Sequence, residues 1–375
     1  MSLEFIDLQA QRLRIKDEID TALATVLDHG RFVMGPEVGA FESALADFGM
    51  AKYALGCANG TDALILSLMA WRIGPGDAVF CPSFTYCATA EAVAIRGATP
   101  VFIDIDRETY NICPQSLEQA ISEVKARGVL RPRAVIAVDL FGQCADYPAI
   151  KAIADAHSLK LISDSAQAFG ATLNGHHPLH WADITTTSFF PAKPLGCYGD
   201  GGAILTNDEA LMTEIDSLRI HGKGTDKYDN VRVGLNSRLD TMQAAILLAK
   251  LAIFDDEIKA RQAIADRYID GLKDHVLRVP KVKNGGQSTW AQFTIEVQNP
   301  ASFAAQMGEA GIPTARYYPK PIHKQTAYAH FPVAGNGLAR TDDASHSVIS
   351  LPMHPYLEND VQDRIIETAI KAAKI

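Results

Sequence analysis

Leu159-Lys160-Leu161-Ile162-Ser163-Asp164 and, further on, Thr187-Ser188-Phe189-Phe190-Pro191-Ala192-Lys193-Pro194-Leu195-Gly196 are the two stretches that decide the fold. The first is a continuous apolar run, as a strand covered on both faces reads, and it ends on a carboxylate. The second sets a lysine among aromatic and prolyl residues after a run with strand character, a poor place for a solvated charge. Burial disfavours the ammonium and lowers its pKa, and a neutral amine condenses with an aldehyde. Asp164 reads either as a helix cap leading into Ser165-Ala166-Gln167 or, since an unpaired carboxylate at the end of a central strand is costly, as the partner of a cation, and the second reading is preferred. An amine that captures an aldehyde, and a carboxylate that pairs with a protonated ring nitrogen, are what pyridoxal phosphate (PLP) requires of a protein. Lys193 and Asp164 are therefore the candidate catalytic residues.

Outward from this pair, short apolar runs alternate with amphipathic stretches. Strands are predicted at Tyr53–Cys57, Ala78–Cys81, Pro100–Asp104, Ala134–Leu140, Leu159–Ser163, Ile184–Phe189 and Ala203–Thr206. Helices Asp62–Trp71, Ala88–Arg96, Pro114–Arg127 and Pro148–His157 fall among them. This alternation implies crossover connections and a mainly parallel α/β sheet of seven strands. Two helices, Arg12–His29 and Glu37–Phe48, precede it. Glu209–Arg219 and Leu239–Leu272 follow, the latter with a break near Ala252-Ile253-Phe254. Past the turn Asn284-Gly285-Gly286-Gln287 come a strand Trp290–Val297, a helix Ser302–Ala310, a strand Thr314–Tyr318 and a closing helix Glu358–Ala373. The expected architecture is a large α/β domain over residues 1–250 and a smaller C-terminal α+β domain over residues 251–375.

With 375 residues, 47% of them hydrophobic and 21% charged, the chain has room for a sizeable core. A net charge of −9 argues against a general nucleic-acid binder or a partner of anionic membranes. The six cysteines (Cys57, Cys81, Cys87, Cys113, Cys144, Cys197) form no Cys-x-x-Cys pair and read as reduced thiols. Met1-Ser2-Leu3-Glu4-Phe5 has no leader pattern, and no run is long enough to span a bilayer. A cytoplasmic enzyme is expected. No H-E-x-x-H occurs, and His176 and His180 lie in a stretch broken by Gly175 and Pro178, so no metal site is expected.

Ala58-Asn59-Gly60-Thr61-Asp62 follows a strand and opens a helix, where free N–H groups and the Thr61 hydroxyl form a cradle for an anion. An ordinary cap by Thr61 or Asp62 is the competing reading. Ser188 offers a second hydroxyl on the same carboxyl edge of the sheet, where ligands of open α/β sheets bind. Pro82-Ser83-Phe84-Thr85-Tyr86 supplies Phe84 and Tyr86, either of which could stack on a planar ring or pack in the core; Tyr86 is preferred. Gln167, three residues past Asp164, is placed for a ring oxygen. Gly199-Asp200-Gly201-Gly202 reads equally as a tight turn or as a close approach of backbone to ligand. In Asn236-Ser237-Arg238-Leu239-Asp240, Ser237 is a candidate helix cap. His323, beside Arg316, Tyr317, Tyr318 and Lys320, belongs to a donor-rich aromatic cluster that reads either as a site for a nucleotide or sugar or as a solvated loop.

These motifs resemble the DegT/DnrJ/StrS sugar aminotransferases, a group within the fold-type I PLP enzymes. The most specific pieces are Asn59-Gly60-Thr61-Asp62-Ala63-Leu64, Ser163-Asp164-Ser165-Ala166-Gln167, Ser188 to Gly196, and Asn236 to Asp240, and the likeness runs from Phe5 to Pro355. The resemblance implies that Lys193 binds the cofactor aldehyde, Asp164 the pyridine nitrogen and Gln167 the ring hydroxyl. It makes Gly60, Thr61 and Ser188 phosphate ligands and Tyr86 the stacking aromatic. It also implies that Asn236 reaches the phosphate of a neighbouring subunit, hence a homodimer with shared active sites. Acidic or alanyl residues usually flank the aspartate where this chain has Ser163 and Ser165. Members with histidine in place of the lysine act as dehydratases, which Lys193 argues against.

Phe141-Gly142-Gln143-Cys144-Ala145-Asp146 and Lys193 to Gly202 look closest to members that aminate a UDP-linked 3-oxo-N-acetylglucosamine uronic acid. The expected function is transfer of an amino group from glutamate to such a sugar, for surface polysaccharide or lipopolysaccharide synthesis. Arg238 suits a sugar carboxylate, and Tyr317, Tyr318 and His323 are candidate substrate contacts. The alternatives are C3 or C4 amination of another nucleotide-linked keto-deoxysugar, and a regulator that binds PLP or a sugar nucleotide without turnover.

Overall fold

The computed structural model describes residues 3–226 and 228–374; Met1 and Ser2, read above for a leader, lie outside them. Its central sheet has seven strands: β1 (Tyr53–Cys57), β2 (Asp77–Pro82), β3 (Thr99–Ile103), β4 (Arg131–Val138), β5 (Lys160–Asp164), β6 (Ile184–Ser188) and β7 (Gly202–Thr206). Their order is β1-β7-β6-β5-β4-β2-β3. Only β7 runs against the rest, pairing antiparallel with β1 on one side and β6 on the other. All six residues of β2 and the last four of β5 are buried, which is why these strands read as unbroken apolar runs.

The helices are α1 (Leu8–Arg14), α2 (Lys16–His29), α3 (Pro36–Phe48), α4 (Gly60–Ala70), α5 (Ala88–Ile95), α6 (Pro114–Arg127), α7 (Tyr147–Ala156), α8 (Glu209–Leu218), α9 (Thr241–Leu251) and α10 (Phe254–Leu272). After them come β8 (Phe293–Glu296), α11 (Pro300–Glu309), α12 (Ala339–Ser347), β9 (Val348–Leu351) and α13 (Asn359–Ala372), with β8 and β9 forming a small antiparallel sheet. The break expected near residue 253 separates α9 from α10. The first predicted helix is in fact two, parted at Ile15, which leaves helical geometry (φ −120°, ψ 37°). The strand predicted at Thr314–Tyr318 is absent. Ala315 makes one bridge to Ser350 (N···O 2.7 and 3.2 Å), and Pro313 and Pro319, which lack N–H donors, bracket the segment and stop the ladder there.

Two apolar cores result. Phe80, Val101, Ile136 and Ile162 belong to the one around the central sheet, and Tyr268, Phe293, Phe303 and Ile365 to the second. α10 serves both regions: Phe254 and Ile258 pack with α3 and α9, whereas Ile264, Tyr268 and Leu272 enter the second core. The chain then returns to the first, where Ile322, Ala334 and Leu338 are buried and Phe102 exchanges hydrogen bonds with Pro332 and Ala334 (2.9 Å each).

Candidate active site

The carboxyl ends of β1, β2, β5 and β6 share one edge of the sheet, which brings Ala58–Thr61, Ser83–Tyr86, Asp164 and Ser188 together. At the phosphate end, β7 separates β1 from β6, and Gly202 stands opposite both Cys57 and Ser188. A side chain on Gly202 would lie 2.5 Å from the Asn59 carbonyl. Its absence lets the β1–α4 turn pass over β7 and reach Ser188, so this glycine is required by protein backbone, and neither reading from the sequence anticipated that. Gly60 then approaches Ser188 so closely that a Cβ would sit 2.7 Å from the serine Cβ.

The cap of α4 is Asn59, not Thr61 or Asp62; its side chain accepts from the Asp62 N–H at 2.8 Å. Among the described residues, no acceptor holds the N–H groups of Gly60 and Thr61, which open the helix. Ser188 Oγ accepts from the Phe190 N–H (3.3 Å) and keeps its proton to donate. Ser237 caps no helix. Its hydroxyl accepts from the Ala58 N–H (3.1 Å) and steadies the same turn.

Asp164 is buried at the end of β5 and accepts from the Ala166 N–H (3.3 Å) and the Thr89 hydroxyl (3.1 Å). Burial raises its pKa; these donors and the charge of Lys193 offset that only in part. Lys193 retains partial solvent access but sits deep among protein atoms, and desolvation lowers its ammonium pKa against the pull of Asp164. Each thus feels the other's charge, yet among the described residues no ion pair holds either. Both groups are left wanting a partner between them.

Phe84 is fully buried against Tyr110, Phe141 and Tyr318, whereas Tyr86 is 60% exposed, which separates the two aromatics that spacing left open. Gln167 accepts the Phe141 N–H on its carbonyl oxygen (2.8 Å) and donates one amide proton to the Tyr318 hydroxyl (3.0 Å), with no acceptor for the second proton among the described residues. Tyr317 is part-buried beside Tyr318, and Arg238, also part-buried, has no ion-pair partner among the described residues. His323, a candidate substrate contact in the sequence, has Nδ1 against Ser83 Oγ (2.7 Å) and Nε2 facing Asp342 (3.3 Å), so both ring nitrogens are engaged by protein. Asn236 is exposed at the base of an arm spanning residues 220–236. Thr89, which no motif flagged, is among the described residues the one side chain that donates to Asp164; its signal is only that α5 begins just after the Phe84–Tyr86 stretch.

The donor set fits PLP: bare N–H groups and a hydroxyl beside a glycine cradle for the phosphate, a buried carboxylate for the ring nitrogen and an enclosed amine for the aldehyde. Fold and site together define a PLP-dependent aminotransferase. The chain belongs to the DegT/DnrJ/EryC1/StrS aminotransferase family, whose profile matches residues 13–370. It is 50% identical to the UDP-2-acetamido-2-deoxy-3-oxo-D-glucuronate aminotransferase of Pseudomonas aeruginosa, over 95% of this chain and 96% of that one. Among solved structures it resembles a DegT/DnrJ/EryC1/StrS aminotransferase from Brucella abortus (TM-score 0.98, 48% identity, all of both chains). It also resembles NtdA from Bacillus subtilis with its cofactor PMP bound (TM-score 0.89, 30% identity, 100% of this chain and 86% of that one).

Proposed function

We propose that the protein moves the amino group of glutamate to the 3-oxo carbon of a UDP-linked N-acetylated hexuronate. The observation that carries this reading is the 50% identity, over nearly the whole length of both chains, to an enzyme named for that substrate. When bound, PLP carries the amino group between the two substrates and withdraws electrons from the reacting carbon. With the cofactor in place, Lys193 would act as a neutral amine that takes the proton from glutamate Cα in the first half of the reaction and delivers one to the sugar carbon that receives the amino group in the second. Asp164 balances a positive ring nitrogen, and Tyr86 covers one face of the ring. Gly60, Thr61 and Ser188 hold the phosphate, and Gln167 spends its free amide proton on the ring oxygen. Arg238, a cation with no ion-pair partner among the described residues, is assigned to the sugar carboxylate, and Tyr317 and Tyr318 to the sugar or nucleotide. We give His323 an indirect part, fixing the segment after β2 through Ser83.

A homodimer belongs to this proposal. Val231 and Val233, 55% and 89% exposed, lie on the 220–236 arm and suit burial against a second copy, to which Asn236 would contribute. Six free cysteines, five of them buried, accord with a reducing cytoplasm. The product, an activated amino-uronate, is a building block for surface polysaccharide or lipopolysaccharide. The test is a half-reaction: glutamate converts the holoenzyme to its amine form, and candidate keto-sugar nucleotides are then scored for restoring the aldehyde absorbance. Restoration by the UDP-3-oxo-uronate is expected; restoration only by a 4-oxo or dTDP-linked sugar would overturn the substrate assignment.

A further inference from the structure

Lys250 has no part in the reaction as described, yet it is placed at considerable cost. It lies on α9, is 1% exposed, and forms no ion pair among the described residues. Removing a charge from water is unfavourable unless hydrogen bonds and neighbouring groups compensate it. Among the described residues, two groups contact the ammonium directly and compensate it. Nζ donates to the Gly196 carbonyl at 2.5 Å and lies 4.2 Å from the centre of the Tyr198 ring, within cation–π range. Burial pulls the Lys250 ammonium down to about 8, with Glu257 and Cys197 acting against that, so the charged form prevails at neutral pH.

Both compensating groups belong to the turn that presents Lys193. This turn folds tightly on itself: the Lys193 N–H donates to the Phe190 carbonyl and the Cys197 N–H to the Phe189 carbonyl (2.8 Å each). A Cβ on Gly196 would lie 2.5 Å from the Pro191 carbonyl, so the bend admits no side chain there. The same helix provides a second attachment. Gln243, two helical turns before Lys250 and on the same face, accepts the Tyr198 N–H at 2.8 Å. Two side chains of one helix thus grip the far end of the lysine turn.

We propose that Lys250 is a positioning residue for Lys193: its ammonium, seated between the Gly196 carbonyl and the Tyr198 ring, fixes the 190–198 turn so that the Lys193 amine is held at the sheet edge facing Asp164. A lysine that merely filled the core would be served as well by methionine, and exchanging a buried charge for an apolar side chain of similar length often leaves stability unchanged or raises it. Positioning predicts the opposite for the turn and for the rate. The rate part of this inference rests on Lys193 being the reacting amine.

The test is Lys250→Met, read in two ways. In the cofactor-free protein, amide exchange of a peptide covering residues 189–199 is expected to quicken at least tenfold, with peptides from the central strands unchanged. In the holoenzyme, kcat of the glutamate half-reaction is expected to fall at least tenfold with KM within twofold, and Lys250→Arg to recover most of it. Exchange within twofold of the parent overturns the anchor, and faster exchange with an unaltered kcat overturns its service to Lys193. Should Lys250→Met not fold, Tyr198→Leu, which removes the aromatic seat, is judged by the same two readouts. Both use glutamate alone, so an error in the assigned sugar leaves them unaffected.

Discussion

Ser163 and Ser165, the two departures from the residues that usually flank the aspartate, have a common explanation in Asp139. Its Oδ2 accepts from both serine hydroxyls (2.9 and 2.6 Å), and its Oδ1 from the Tyr147 hydroxyl and the Ala145 N–H (2.8 Å each). Burial outweighs these four donors and pushes the Asp139 carboxyl up to about 6 from its ordinary 3.8. With the folded value above the unfolded one, the native protein binds more protons between those limits. Asp139 therefore makes stability fall as pH rises through that window, by about 3 kcal/mol for roughly two units. Asp139→Asn cannot titrate, and the serine hydroxyls can turn to accept from its amide. Measured by denaturant at pH 4 and pH 7, the stability difference between variant and parent is expected to move about 2–3 kcal/mol toward the variant; a constant difference would refute this. At the reacting pair, Lys193→Arg keeps a charge but cannot act as a neutral base, and a rate loss of ~10²–10⁴-fold is expected from that function alone. Thr89→Val preserves shape and removes a hydrogen bond to a carboxylate, an interaction worth about 1.5–3 kcal/mol. Equilibrium dialysis should show PLP held at least about tenfold more weakly, while an affinity equal to the parent's would deny Thr89 a part in orienting Asp164.

At the scale of elements, the site depends on the β1–α4 turn crossing β7 to reach β6. Two glycines permit this for different reasons, and that difference orders their variants. Gly202→Ala drives a Cβ into the Asn59 carbonyl at 2.5 Å, a backbone atom that cannot rotate away. Gly60→Ala meets Ser188 Cβ at 2.7 Å on a neighbouring strand end, where a small shift of the turn gives relief. Overpacking of this kind costs about 1–3 kcal/mol. Thermal unfolding of the cofactor-free proteins should rank Gly202→Ala below Gly60→Ala, and the reverse order would contradict this account of the crossing. The same turn shows what sequence could reveal. Asp164 and Gly60 are legible because each ends or follows a strand whose apolar run is unmistakable, whereas Ser188 closes the threonine-rich strand Ile184–Ser188 and is read from its place five residues before Lys193. Asn59 as cap, Ser237 as brace and Gly202 as crossing point are not legible, because each acts on backbone from another strand or loop, and single-chain periodicity does not encode such proximity. α12 escapes for a different reason: Ala339–Ser347 is a polar run in which only Thr341, Ala344 and Ser345 are buried, so no apolar stripe announces a helix.

For the whole molecule, the decisive contact is between the two cores. We place the domain division at residues 250/251, in the last turn of α9 just before its break with α10, although the first turns of α10 still pack with α3 and α9 and residues 322–338 return to the sheet. Glu296, on β8, joins the two parts. It is 4% exposed and receives both guanidinium arms of Arg107 and the Tyr110 hydroxyl from the connection after β3, with Arg278 Nε at 3.4 Å. Tyr110 in turn packs on Phe84, which meets Tyr318 edge-on (centroids 6.0 Å apart), so this carboxylate stands behind the aromatic floor of the cleft. Breaking a fully buried pair costs about 3–5 kcal/mol. Arg107 is 27% exposed and regains some hydration, so Glu296→Gln is expected to cost rather less, about 2 kcal/mol. The loss should be uneven, because the central sheet keeps every strand pairing it had. Amide exchange is therefore expected to quicken in peptides beyond Ile264, including β8, β9 and α13, while peptides from β2, β4 and β5 keep their protection. Uniform acceleration along the chain would mean that the two cores open as one unit and that the division at 250/251 has no energetic meaning.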